Sequence, residues 1–292
     1  MKVAFWSNVR GKSCVTSNLA CISVLSALSR PEERTILFEN HQNIMNLGST
    51  FFSRNSEQVV KEAKGYTVEI GLGKLLQMVE QGEKLSKESF YSLVSDYLGK
   101  RLFYIPSEGV KYADFLEYQM NKECIRTMRY LEHYGDMVFV DTSASPLVSS
   151  RKILQQADLV VVNLSQNNQM LDHFFRNYSS IRQKAFYLIG NYDERSELTK
   201  GAIMTQYRIP GSRIGTIPHN VQFSDAISEG MIIPFLLKNY SCEKGEANYP
   251  FMAAAKEAVE LFRRQLECIE GRRIADDEER KNIFSDYGNY SF

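Results

Sequence analysis

A chain of 292 residues in which 35 lysines and arginines meet 35 aspartates and glutamates has no formal net charge, so it has no overall attraction for DNA or an anionic membrane. Its length suits one large α/β domain or two small ones. Cys14, Cys21, Cys124, Cys242 and Cys268 are scattered without a CxxC pair, which speaks against zinc and against a disulfide framework; no run resembles a signal peptide or reaches the roughly 18 apolar residues of a membrane span, so a cytoplasmic protein is expected.

The first element is read at Lys2–Trp6, a short apolar run that suits a strand, followed by Gly11, Lys12 and Ser13 and then by a segment of helical character. Comparable runs recur at Thr35–Phe38, Leu102–Ile105, Met137–Val140, Leu159–Leu164, Phe186–Ile189 and Ile214–Ile217. They are continuous rather than alternating, as in strands covered on both faces. Between them the spacing predicts helices, for example Asp114–His133, with Phe115, Leu116, Met120, Ile125, Met128 and Leu131 near one stripe. Alternating strand and helix predict an α/β fold, a mostly parallel twisted sheet of about seven or eight strands with helices on both faces and right-handed crossovers. A last helix is expected over Pro250–Gly271, with Gly271 as its stop. The chain then divides into one domain over residues 1–272 and a charged, later aromatic segment over 273–292. That segment reads as a solvated tail or as a docking peptide using Phe284, Tyr287, Tyr290 and Phe292.

In open parallel sheets the turn from the first strand into its helix is the favoured phosphate site, and Gly11, Lys12 and Ser13 fall there. Backbone N–H groups at a helix start carry partial positive charge, the Lys12 ammonium would neutralise phosphate oxygens, Ser13 would ligate magnesium, and the Cys14 amide would follow near the α-phosphate. The pattern GxxxxGK[ST] wants glycine where this chain has Trp6, so the motif alone is a weak signal. A second element, "DMVFVDTSAS", is an apolar strand ending in Asp141, placed to hold magnesium through water. His133, His173 and His219 share no metal-ligand spacing, and packing is the default reading of each.

With both elements in place, the sequence resembles the ParA/MinD family of P-loop ATPases over nearly its whole length. The pieces come in family order: "GKS" at 11–13, "TILFENHQN" from Thr35, "MVFVDTSAS" from Met137, "ADLVVVNLSQN" from Ala157, "FYLIGNYDERSELT" from Phe186 and "IGTIPHNVQFSDAISEG" from Ile214. Within that family it is most similar to TadZ/CpaE proteins, which position the assembly machinery of Flp/Tad (type IVb) pili. The "NYDERSELT" stretch and the insertion between Gly65 and Gly109 carry that likeness. The sequence opens directly on the ATPase strand, so the receiver-like domain of TadZ and CpaE is not expected here.

The resemblance implies ATP and Mg2+ as cofactors. Asn8, Val9, Arg10, Gly11, Lys12, Ser13 and Cys14 would form the phosphate loop, Ser13 and Asp141 would serve the metal, and Asn191 and Pro218 would flank the adenine. Lys12, Glu39, His41 and Asp141 would take the catalytic positions. It further implies a homodimer and protein partners in a pilus or secretion apparatus, at a cell pole or membrane only through those partners, with nucleic acid an unlikely partner. A DNA-partitioning ParA is the alternative; it would use Arg176, Arg182 and Lys184 or Arg263, Arg264, Arg272 and Arg273.

Departures from the family pattern matter as much. Ser7 stands where a lysine would reach across the dimer, and Asn8 and Val9 replace two glycines, Asn8 being the better suited to a left-handed conformation. The switch segment, normally DxD, has Glu39 first and His41 second. A cross-subunit cation of this type is worth about three powers of ten in rate, and Arg10, Arg151 or Lys152 are the candidate substitutes. ATP binding with slow or absent hydrolysis is expected.

Overall fold

The computed structural model describes residues 1–52, 71–84, 86–107, 112–142 and 144–287, with side chains of the last helix described as far as residue 275. Gly65 and Gly109, the bounds of the insertion, lie outside the described residues, as do Tyr290, Phe292 and the side chains of Phe284 and Tyr287.

Eight strands form one sheet: β1 (Lys2–Trp6), β2 (Thr35–Asn40), β3 (Ser95–Tyr97), β4 (Leu102–Tyr104), β5 (Met137–Thr142), β6 (Leu159–Leu164), β7 (Ala185–Tyr192) and β8 (Ile214–Pro218). Their order is β3-β4-β2-β5-β1-β6-β7-β8, and every pairing is parallel except that of β3 with β4. This is the expected doubly covered sheet. Successive side chains of a strand point to opposite faces, and those of β1 enter two separate cores. Ala4 and Trp6 join the core that includes Phe174 and Met120, while Val3 and Phe5 join the core that includes Leu19 and Phe262.

The strand β3 escapes the sequence reading because Ser-Asp-Tyr has no apolar run; it is a short edge strand held by three paired positions. The helix expected at Asp114–His133 spans Ala113–Leu131, and of its predicted stripe Phe115 is instead exposed. Helix α1 (Val15–Ser29) mixes apolar residues with serine, threonine and asparagine, and its middle is buried between the sheet and the last helix. Among the described residues no helix is long and apolar enough to cross a membrane.

The last helix corrects the boundary drawn at Gly271. It runs over Tyr249–Tyr287, straight through that glycine. A Cβ at Gly271 would meet nothing within 4 Å, so the residue sits on an open face where its cost, roughly 1 kcal/mol, is met by its neighbours. Arg272 Nε donates back to the Cys268 carbonyl at 3.1 Å, and Arg273 pairs with Asp158. The segment from residue 273 to Tyr287 thus continues the helix, and residues 273–275 are exposed.

Candidate functional site: a phosphate loop beside a closed carboxylate cluster

Parallel strands all end on the same side of the sheet, which brings the loop after β1, the ends of β2 and β5 and the rim of β7 and β8 to one edge. The loop over Ser7–Cys14 is braced at three points. Buried Ser7 donates its hydroxyl proton to Ser13 Oγ at 3.0 Å and accepts the Val9 N–H at 3.3 Å. Asn8 donates its side-chain amide to the Met170 carbonyl at 3.0 Å and approaches His173 Nδ1 at 3.1 Å. Arg10 donates to Asn43 Oδ1 at 2.7 Å, tying the loop to the segment after β2.

The left-handed positions are not where the sequence reading puts them. They fall on Gly11 (φ 69°) and Cys14 (φ 53°), not on Asn8. Asn8 is committed to the helix over Asn168–Asn177, and glycine takes the turn it adopts without steric cost. Cys14 is the N-cap of α1 and makes no side-chain cap hydrogen bond, so the amides of the first turn keep their donors outward. Gly11, Lys12 and Cys14 are exposed, Val9 is half-buried, and Lys12 makes no hydrogen bond or ion pair among the described residues. Trp6 belongs to the core, packed edge-on to Tyr178 at 5.0 Å between ring centroids, and does not enter the loop.

The carboxylate side is closed. Strand register sets Glu39 against Asp141, and one ligand atom from each of Glu39, His41 and Asp141 lies within 4.8 Å of the others. Asp141 Oδ2 accepts the Thr16 hydroxyl at 2.6 Å and faces His41 Nε2 at 3.2 Å. Glu39 accepts the Leu47 N–H at 2.7 Å on one oxygen and the Tyr104 hydroxyl at 2.8 Å on the other. Burial pushes the Glu39 carboxyl up to about 7, partly offset by His41. Burial works against a charged His41, but the hydrogen bond and charge of Asp141 outweigh it and raise the imidazole above its ordinary value. Thr16, Ser7 and Tyr104 were missed as site residues; Thr16 had a usable signal, a hydroxyl two residues past Cys14 on the face of α1 turned toward β5.

Opposite this cluster the rim is open. A β-bulge separates Ile189 from Tyr192, and Asn191 takes φ 49° there. Gly190 permits it: a Cβ would stand 2.5 Å from the Asn18 amide, which lies across the strand and donates to Asn163 Oδ1 and the Ser13 carbonyl. Asn191 Oδ1 contacts His219 Nδ1 at 2.8 Å, so His219 is bound to the rim rather than idle packing. Beside them Tyr192, Arg195, Pro218, His219, Asn220 and Phe251 line a cleft of about 390 Å³. Of the candidate substitutes for the missing lysine, Lys152 donates instead to the Asn121 carbonyl and Arg151 is exposed.

No protein-family model matches the sequence, and no curated protein matches it significantly. Solved structures do. A ParA family ATPase of Chlorobium tepidum TLS aligns at 14% identity over 88% of this chain and 98% of its own, with a TM-score of 0.64. The septum site-determining protein MinD of Pyrococcus horikoshii OT3, complexed with Mg-ADP, aligns at 14% over 89% and 94%, at 0.61. A Borrelia burgdorferi B31 protein assigned to plasmid partition and bound to AMPPNP aligns at 15% over 90% and 98%, at 0.59. The chain thus has the fold of the ParA and MinD ATPases.

Proposed function

We propose that this chain is a ParA/MinD-like protein that binds ATP with magnesium, turns it over slowly or not at all, and acts as a nucleotide-held homodimer positioning Flp/Tad-type pilus or secretion machinery. The observation that carries the binding half is the Lys12 ammonium, unpartnered among the described residues at an exposed loop mouth, directly ahead of the uncapped first turn of α1. Arginine or lysine charge-assisted bonds to phosphate are about twice as strong as neutral ones, so this is where a triphosphate gains most. The donor set also fits magnesium, because the Ser13 hydroxyl and the Asp141 carboxylate are hard oxygen ligands on neighbouring elements. When bound, that ion would neutralise charge between the outer phosphates.

The slow turnover follows from the residues that would handle the attacking water. Both oxygens of Glu39 are engaged by protein donors, and His41 is held against Asp141. His41 accepts the Asn43 N–H on Nδ1 at 3.3 Å while its Nε2 faces Asp141, so both ring nitrogens are engaged by the protein and neither is left to take a proton from water. The nucleotide complexes of the borrelial and archaeal neighbours support the binding reading, and "NYDERSELT" supports the pilus reading.

DNA partition is the second reading, favoured by the borrelial neighbour. Against it, Arg176, Arg263, Arg264 and Arg273 each face a carboxylate of this chain, and Lys184 donates to two backbone carbonyls. Titration calorimetry with ATP and magnesium tests the proposal: wild type is expected to bind and Lys12→Ala to bind about 10- to 100-fold more weakly, while identical behaviour of the two, or no binding by either, overturns it. Turnover at the rate of ordinary ParA proteins overturns the slow-hydrolysis half. Salt-sensitive retardation of DNA at two salt concentrations replaces the pilus role with partition.

A further inference from the structure

Seven arginines of the described chain face carboxylates: Arg30, Arg126, Arg176, Arg195, Arg263, Arg264 and Arg273. Three that face none among the described residues converge on one cleft of about 290 Å³ at the opposite end of the sheet from the loop, where β7 and β8 begin. They are Arg182, Arg208 and Arg213, and Ser179, Gln183, Tyr187 and Tyr207 complete the polar lining. Among the described residues no carboxylate lines it; Asp172, which accepts the Tyr207 hydroxyl at 2.8 Å, is paired with Arg176.

The three guanidinium groups are held there by different means. Arg213 donates Nε to the Ala185 carbonyl at 3.0 Å and Nη2 to the Gln183 carbonyl at 3.0 Å, which fixes its plane and leaves Nη1 uncommitted. Arg182 lies over the Phe175 ring at 5.3 Å and donates Nη1 to the Phe175 carbonyl at 3.5 Å, which orients the cation and leaves part of its donor fork for a ligand. Arg208 caps the helix Lys200–Tyr207 in a left-handed conformation (φ 54°) and is exposed with no partner among the described residues. Like charges crowded on a concave surface repel one another, and a bound anion removes that cost.

We propose that this cleft binds the terminal phosphate of a small phosphate monoester, at a site separate from the loop at Lys12. Planar guanidinium forks match phosphate oxygens two at a time, and a dianionic terminal phosphate answers three cations better than a carboxylate or a phosphodiester. The cleft is at the small end of the range for ligand pockets, room for a phosphate and a modest organic group.

The test is calorimetric titration of the full chain with inorganic phosphate and with phenyl phosphate. Wild type and Lys12→Ala are expected to bind phenyl phosphate alike, and Arg208→Ala to weaken it at least about tenfold, with Arg208→Lys between them. Arg208 is exposed, so its replacement leaves folding intact. Binding that disappears in Lys12→Ala and survives in Arg208→Ala assigns the ligand to the loop and overturns the proposal. No heat with either probe overturns it too, as does retention of duplex DNA, but not of phenyl phosphate, by the arginine cleft.

Discussion

The two halves of the strand-end edge differ in how much of their polar chemistry is already consumed. At β2 and β5, Glu39, His41 and Asp141 are buried and engaged by Leu47, Tyr104, Thr16 and each other. At β7 and β8, Pro218 and His219 line an open cleft with Asn191 bonded to His219, and between the halves Lys12 has no partner among the described residues. The cation that would meet a phosphate is available, while the buried trio at the ends of β2 and β5 is already engaged, which is the contrast on which the proposed retention of nucleotide with slow turnover rests. The lesson is that a catalytic-looking trio can be spent on stability: charges that sit together in a low-dielectric interior hold one another in place.

Breaking the closed half gives the largest effect. Asp141→Ala leaves His41 buried without its carboxylate and Thr16 without an acceptor; a loss of about 3–5 kcal/mol is expected in denaturant unfolding. On the open half, Lys12→Ala leaves stability unchanged and lowers ATP affinity by about 10- to 100-fold in calorimetry, the weight of a charge-assisted bond. The pH dependence sharpens the contrast. Because the folded-state pKa values of Glu39 and His41 are both raised, their contribution is fully present below the unfolded values and is lost as pH rises, for Glu39 between about 4.5 and 7. Thermal unfolding of the wild type is expected to fall in midpoint from pH 5 to pH 8. Glu39→Gln is expected to flatten that decline by up to about 2–3 kcal/mol, since each tenfold change in proton affinity between the folded and unfolded chain is worth about 1.36 kcal/mol. The smallest effect belongs to Asn191→Ala: about 1 kcal/mol of ATP affinity, one neutral hydrogen bond, with reduced discrimination between ATP and GTP in competition binding.

Much of this was legible in the sequence because continuous apolar runs can satisfy a doubly covered sheet and little else. Lys2–Trp6 and Leu159–Leu164 match their strands residue for residue. That the loop after β1 and Asp141 lie at one edge of the sheet was legible from their places after strands. What was not legible depends on partners remote in the chain. Cys14 rather than Asn8 turns left-handed because Asn8 is needed by Met170, 162 residues away. Past Gly271 the helix is held by Arg273 on Asp158, a residue directly before β6, 115 positions away in the chain. The locking of Glu39 by Tyr104 joins two strands whose side chains carry no sequence mark of facing each other.

The long final helix has a mechanical consequence. Its last described side-chain tether is Arg273 on Asp158, and the helix continues to Tyr287, roughly 20 Å further at 1.5 Å per residue. Asp158 also accepts the Lys2 N–H at 2.7 Å, on the strand that leads into the loop at Lys12. Among the described residues the helix is therefore a cantilever clamped at the foot of β1: a pull on it reaches the sheet through one carboxylate, and arrives on the strand that leads to Lys12.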